Sequence, residues 1–234
     1  MNKKIMGMLG YVYRGYNEQI RSRFFYPDYF HDGRRINSVC IGWSYIPQWK
    51  LFKTILSNYR INTICVVGAY YGRDIGYLAS IAHQIGMSDY HITGIDKFED
   101  KYCEDWPEEL RKKSWKTAGF GVAPQLEATS ANMKKLGISK HVTLVKSDDK
   151  GFLSSTQKQF DFIYIDTSHD YKSVKKLIDL GVKKCKPGGV IGGDDYATHF
   201  STWGVNKAVA ESFKEFEVVD GRVWYADPKD YIKK

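Results

Sequence analysis

Phe160-Asp161-Phe162-Ile163-Tyr164-Ile165-Asp166 reads as an apolar strand closed by an acid, and His169-Asp170-Tyr171 follows it. One helix later comes Lys186-Pro187-Gly188-Gly189-Val190-Ile191-Gly192-Gly193-Asp194-Asp195-Tyr196. Between them Tyr171, Val174, Leu177, Ile178 and Val182 recur at helical spacing, with Lys172, Lys175, Lys176, Lys183 and Lys184 expected on the solvent face. Strand, helix, strand is the repeating unit of a parallel sheet, and such sheets bind ligands outside the carboxyl ends of their strands. Asp166, Asp194 and Asp195 should therefore reach one crevice. Carboxylates gathered there repel one another unless a positive charge lies among them, and a hard, oxygen-seeking cation is the natural candidate. All-carboxylate ligation suits Mg2+. Helix capping or surface charge would account for any one of these acids, but does not predict all of them at adjacent strand ends. His169 could stack, cap or ligate. Its place three residues after Asp166 suits a base that works near neutral pH.

The alternation extends in both directions. Trp49, Phe52, Ile55 and Leu56 form a helical stripe leading to a strand at Thr63–Val67, and Ile75, Leu78, Ala79, Ala82 and Ile85 form the face of the next helix. A strand at His91–Asp96, a helix at about 124–136 and a strand at Val142–Lys146 complete the first half. After the strand at 190–193, a helix at about 205–213 precedes two short strands, Glu217–Val219 and Val223–Ala226. Asp220-Gly221 between them is a tight-turn signal, so these two strands should pair antiparallel. The expected architecture is α/β: a doubly wound, seven-stranded sheet with an antiparallel C-terminal hairpin. Residues 1–46 lack clear periodicity and read as an N-terminal arm or cap and a candidate oligomer contact, with the main domain at 47–234. An insertion at 97–121, carrying Trp106, Trp115 and Gly119-Phe120-Gly121, is expected to cover the acceptor side.

Gly68-Ala69-Tyr70-Tyr71-Gly72 lies between strand and helix, where a turn without side chains lets backbone N–H groups approach a ligand. Glycines also make ordinary turns. The loop gains meaning from Asp96, which ends the next strand 28 positions after Gly68 and could accept both hydroxyls of a ribose. A helix cap or surface acid is the plainer role for Asp96. The spacing differs from the tighter G-x-G-x-x-G turn, which argues against a dehydrogenase.

The segment from Asp161 to Tyr171, the run from Pro187 to Tyr196 and Gly204-Val205-x-x-Ala208-Val209 together resemble class I S-adenosylmethionine-dependent methyltransferases, over about residues 48–226. The resemblance is strongest to metal-dependent O-methyltransferases of sugars and antibiotics, the macrocin and mycinamicin type. It implies a Rossmann-like sheet, S-adenosylmethionine held by Gly68, Ala69, Gly72, Asp96, Lys97, Ser147, Asp148 and Asp166, and Mg2+ held by Asp166, Asp194 and Asp195. His169 and Asp166 would be the catalytic pair. Asp148 falls where an acid meets the adenine amino group, with Asp149 as the register alternative and a surface turn as the plain reading. The family usually has an acid two residues before the first glycine. This chain has Val66 there, so the methionine amino group needs another partner.

Methyl transfer is an in-line displacement from a sulfonium, so the protein chiefly positions the acceptor and removes its proton. A metal beside a base favours an oxygen acceptor with neighbouring oxygens, such as a sugar-containing or other polyhydroxylated small molecule. A catechol-type O-methyltransferase shares this logic. A non-catalytic basic adaptor of the same fold is the other alternative.

The composition of 234 residues, 43% hydrophobic and 26% charged, fits one folded domain with modest additions. The net charge of +8 could suit an anionic partner, but the lysines lie on helical solvent faces without RNA-binding or zinc-finger motifs, which argues against nucleic acid. Cys40, Cys65, Cys103 and Cys185 are widely separated, so buried reduced thiols are expected rather than disulfides or a zinc site. The start faintly resembles a signal peptide, but two glycines break its apolar run; no stretch could span a bilayer, and a cytoplasmic location is the expectation.

Overall fold

The computed structural model describes residues 23–99, 124–196 and 203–232. Its central sheet is built from β1 (Thr63–Val67), β2 (His91–Asp96), β3 (Val142–Lys146), β4 (Phe160–Ile165), β5 (Cys185–Gly193), β6 (Glu217–Val219) and β7 (Val223–Ala226). The strand order is β3-β2-β1-β4-β5-β7-β6, with β1 to β5 parallel and β7 antiparallel to both β5 and β6. The chain winds outward from β1 through β2 to β3, then returns to β1's other side at β4. That reversal opens the crevice at the carboxyl ends of β1 and β4, where open α/β sheets take ligands.

The helices are α1 (Arg34–Val39), α2 (Ile46–Asn58), α3 (Arg73–Gln84), α4 (Leu126–Leu136), α5 (Asp149–Ser155), α6 (Tyr171–Lys184) and α7 (Val205–Ala210). On one face of the sheet, Trp49, Phe52, Ile55, Ile75, Leu78 and Ile81 pack on Ile64, Val66, Phe162 and Tyr164. On the other, Val174, Leu177, Ile178, Val205 and Val209 pack on Cys65, Val67, Ile163, Ile165 and Ile191. Strands buried on both faces must read as continuous apolar runs, as β1 and β4 do.

The segment before α2 joins the first of these cores: Tyr29, Ile36 and Cys40 are buried in it, and the Tyr29 ring packs edge-on to Trp49 and Tyr77. Residues 1–22, and the insertion from residue 100 to its end at 121, lie outside the described residues. Among the described cysteines, Cys40, Cys65 and Cys185 are free and buried; burial pushes the Cys40 and Cys185 thiols up to about 12.

Three local readings differ from expectation. β5 starts at Cys185 rather than 190, because its pairing with β4 shifts register between Phe160 and Phe162 and so absorbs Pro187 and Gly188. α7 stops at Ala210, three residues short. Lys175 and Lys184 are not solvated helix-face lysines. Lys175 Nζ donates to the Glu211 carbonyl and the Ser212 hydroxyl, and Lys184 Nζ to the Thr156 carbonyl, tying α6 to its neighbours.

Candidate active site

Pairing fixes the height of the acids. Val67 pairs with Ile165 and Ile165 with Gly193, so the next residues, Asp166 and Asp194, leave adjacent strands at one level. The Asp166 amide donates to Val67 O (2.8 Å) and the Asp194 amide to Ile165 O (3.1 Å), extending the ladder by one step. Gly193 allows this closeness: a Cβ there would stand 2.5 Å from the Ile165 carbonyl oxygen. One ligand atom each from Asp166, Asp194 and Asp195 lies within 4.8 Å of the others. The acids that the sequence put in one crevice do meet.

Their partners differ. Arg222, in the turn before β7, forks onto Asp194, Nε to Oδ1 at 3.1 Å and an NH2 donor to Oδ2 at 3.2 Å. Gln48 Nε2 adds a bond to Oδ2 at 2.6 Å, and the Asp195 amide adds one to Oδ1 at 2.7 Å. Both Asp194 oxygens therefore have their lone pairs occupied. Asp195 has φ 57, in the left-handed region that aspartate tolerates better than most residues. From there its Oδ2 lies 3.1 Å from His169 Nε2, an ion pair when the imidazole is protonated, and the imidazole stacks on Trp203 with centroids 4.0 Å apart. Among the described residues, none donates a hydrogen bond to the Asp166 carboxylate. Burial, then the charges of Asp194, Asp74 and Asp195, raise the Asp166 pKa well above the carboxylate range, against the opposing effect of His169. Burial and Asp195 likewise raise Asp194, against Arg222. Burial works against the charge on Arg222, but Asp194 outweighs it and holds the guanidinium protonated.

These residues could accept a hard cation, with a qualification from the donor set. Asp166 and Asp195 line the pocket with His169, whereas Asp194 would have to share an oxygen that already serves Arg222 or Gln48. Carboxylates that ligate metals are commonly hydrogen-bonded as well, so the arrangement fits.

On the other side of β1, Asp96 Oδ2 accepts the Tyr70 amide at 2.8 Å and Oδ1 the Phe98 amide at 2.9 Å. Those bonds aim the carboxylate and leave acceptor capacity on each oxygen, as a vicinal diol would need. Burial raises the Asp96 pKa even though both amides oppose it. The glycine loop is organised differently from expectation: the Gly68 and Ala69 amides both donate to Ile95 O at 2.9 Å, and Gly72 N donates to Ala69 O at 2.7 Å. These amides are not available to a ligand. Gly68 is needed because its φ is 96 and a Cβ would strike the Asp166 carbonyl oxygen. The loop thus presses β1 against the strand that carries the site.

After β3 the neighbouring acids separate. Asp148 is exposed, caps α5 by accepting Gly151 N at 2.8 Å, and faces Lys97 Nζ at 3.5 Å. Asp149 is buried, its Oδ2 accepts the Thr167 hydroxyl at 3.3 Å, and its charge acts on Asp96. Ser147 is tied to the end of β2, its amide donating to Asp96 O at 3.0 Å. Of the register alternatives, Asp149 is the one turned toward the crevice.

Sequence reasoning missed Arg222, Gln48, Trp203 and Asp74. Asp74 lies two residues after Gly72 and was legible as an acid beside the loop, but the others come from distant segments with no local signal.

The sequence profile described as a methyltransferase domain matches residues 65–196, more than half of the chain. A search of curated proteins finds no match. Solved structures share the fold at low identity. Cofactor-bound Rv0187 from MTB is 12% identical with a TM-score of 0.60, covering 90% of this chain and 94% of that one. An O-methyltransferase from Bacillus cereus in complex with SAH is 13% identical with a TM-score of 0.57, covering 89% and 95%. The O-methyltransferase NovP is 16% identical with a TM-score of 0.57, covering 78% and 80%. With the doubly wound sheet, its reversed hairpin and the acid-lined crevice at the carboxyl ends of β1, β4 and β5, the profile match assigns the chain to the methyltransferase domain family.

Proposed function

We propose that the chain is an S-adenosylmethionine-dependent O-methyltransferase of the sugar and antibiotic type, acting on a hydroxyl of a sugar-containing or other polyhydroxylated small molecule. The observation that carries this reading is the meeting of Asp166, Asp194 and Asp195 within 4.8 Å beside His169. Asp96 would take the ribose and Asp149 the adenine amino group, with the methyl group directed across β1 toward Asp166. The O-methyltransferase NovP and the O-methyltransferase from Bacillus cereus share this architecture.

Asp166, Asp194 and Asp195 would hold Mg2+. When bound, the ion would lower the pKa of an acceptor hydroxyl and orient neighbouring oxygens. The protein's own part is to position and to take a proton. Asp195 orients the His169 imidazole through Nε2, and Trp203 fixes the ring plane. Proton transfer to His169 leaves an imidazolium beside two acids, which the carboxylates stabilise. A cytoplasmic location and a small-molecule acceptor belong to this reading; among the described residues, no helix is long and apolar enough to cross a membrane.

One observation supports a second reading. Arg222 already supplies the positive charge that the acids require, so the guanidinium could stand in the cation's place and make turnover metal-independent. A panel of hydroxyl acceptors assayed in EDTA, then with Mg2+ restored, decides. Turnover that needs Mg2+ and is abolished by Asp166→Asn supports the first reading. Full turnover in EDTA supports the second, and no turnover with any acceptor, without cofactor binding, would count against both.

A further inference from the structure

Asp74 is the second residue of α3, two positions after Gly72. It is 6% exposed, and its Oδ1 is fully buried with no hydrogen-bond partner among the described residues. Ser44 is the side chain that hydrogen-bonds to this carboxylate. The nearby cations are committed elsewhere. Arg73 donates to Cys40 O at 3.0 Å and Ser44 O at 3.2 Å, and Arg222 donates to Asp194 and Trp43 O. A buried carboxylate oxygen left without a donor is costly and rare in native proteins, so it calls for a missing partner. Asp166, close enough for the two charges to disfavour each other, also lacks a protein donor.

The missing partner must be cationic, rich in N–H donors, and reach the end of β1 from the crevice. A ligand whose ribose lies on Asp96 at the end of β2 must cross the glycine loop to bring its sulfonium toward Asp166 at the end of β4. Its amino-acid end then lies above the start of α3. The first turn of α3 has Gly72 as N-cap and no side-chain cap, so its leading amides suit the ligand's carboxylate. Val66, two residues before Gly68, is fully buried in the apolar core and can offer this end nothing.

We propose that Asp74 receives the α-ammonium group of the cofactor's amino-acid end, with Asp166 as the second acid facing that charge. This rests on the S-adenosylmethionine reading above. It makes the start of α3 a zwitterion clamp: backbone amides for the carboxylate, and the orphan carboxylate oxygen for the ammonium. The site would then select ligands with an intact amino-acid end over truncated thioadenosines.

The test is calorimetric titration of the full chain and of Asp74→Asn and Asp74→Ser with two ligands. S-adenosylhomocysteine carries the ammonium, whereas 5′-methylthioadenosine lacks the amino-acid end. Both variants should bind S-adenosylhomocysteine about 10- to 100-fold more weakly and methylthioadenosine with unchanged affinity. Methylthioadenosine binding also reports that the variants are folded. Equal loss for both ligands would make Asp74 a structural residue and overturn the assignment, as would unchanged binding of S-adenosylhomocysteine. If the unsubstituted chain binds neither ligand, the cofactor reading itself fails, and this inference with it.

Discussion

Replacing Arg222 by leucine removes the guanidinium fork on Asp194 and the bond to the Trp43 carbonyl at 3.2 Å, while keeping part of the side chain's apolar bulk. Asp194 would then be a buried charge with only Gln48 and one amide for partners. Removing one member of a buried ion pair costs about 3–5 kcal/mol, chiefly because the other charge stays uncompensated. The Arg222 side chain is 26% exposed against 4% for Asp194, so water screens part of the lost attraction. We therefore expect a loss of about 2–4 kcal/mol. For a chain of this size that is a fall in Tm of roughly 4–16 °C. The deficit has a sign in pH. Burial raises the Asp194 pKa and Arg222 opposes it, so without Arg222 the carboxyl protonates more readily and sheds its unpaired charge. The gap between the two proteins should narrow as the pH falls from about 8 to about 5. Chemical denaturation in EDTA at both ends of that range provides the measurement. A loss under ~0.5 kcal/mol, independent of pH, would refute the view that this ion pair holds the β5–β7 corner. Excess Mg2+ should recover part of the loss if an ion can take the vacated place.

Asp96→Ala should weaken S-adenosylhomocysteine binding by about 2–4 kcal/mol in calorimetry, since two charge-assisted bonds to the ribose are removed; unchanged affinity would dismiss the ribose assignment. His169→Ala should slow methyl transfer by about 10²–10⁴-fold, with a smaller effect at high pH where the acceptor ionises unaided; a pH–rate comparison of variant and parent is the check. Asp161→Ala should destabilise the fold by about 2–4 kcal/mol, because Asp161 Oδ2 accepts Asn62 N at 3.0 Å, Thr63 N at 2.7 Å and Thr63 Oγ1 at 2.8 Å, clasping the start of β1 to β4. Burial works against the charge on Asp161, but these bonds and Lys186 hold its pKa below the usual carboxylate value. That contribution is present above the unfolded pKa of about 4 and is lost as the pH falls through the folded value, so urea midpoints of parent and variant should converge in acid.

The strands were legible in the sequence because each is a short apolar run bounded by turn residues, and burial on both faces leaves little freedom in composition. The closing acids Asp96, Asp166 and Asp194 were legible for the same reason, since a charge that ends a buried strand marks the carboxyl edge. Asp220-Gly221 likewise announced the antiparallel hairpin, with both residues at positive φ. The tertiary structure alone decided what surrounds those acids. Arg222 reaches Asp194 from 28 residues away and Gln48 from 146, and no local pattern encodes either contact. The sequence called for a positive charge among the carboxylates but could not say that a guanidinium supplies one, because that depends on how the hairpin folds back over β5. Which of Asp148 and Asp149 is buried was also beyond one-dimensional reading. One residue of offset at the start of α5 turns one acid out to cap the helix and buries the other toward Asp96. Periodicity fixes which face of an element is apolar, whereas the partner of a buried charge is set by packing between segments remote in sequence.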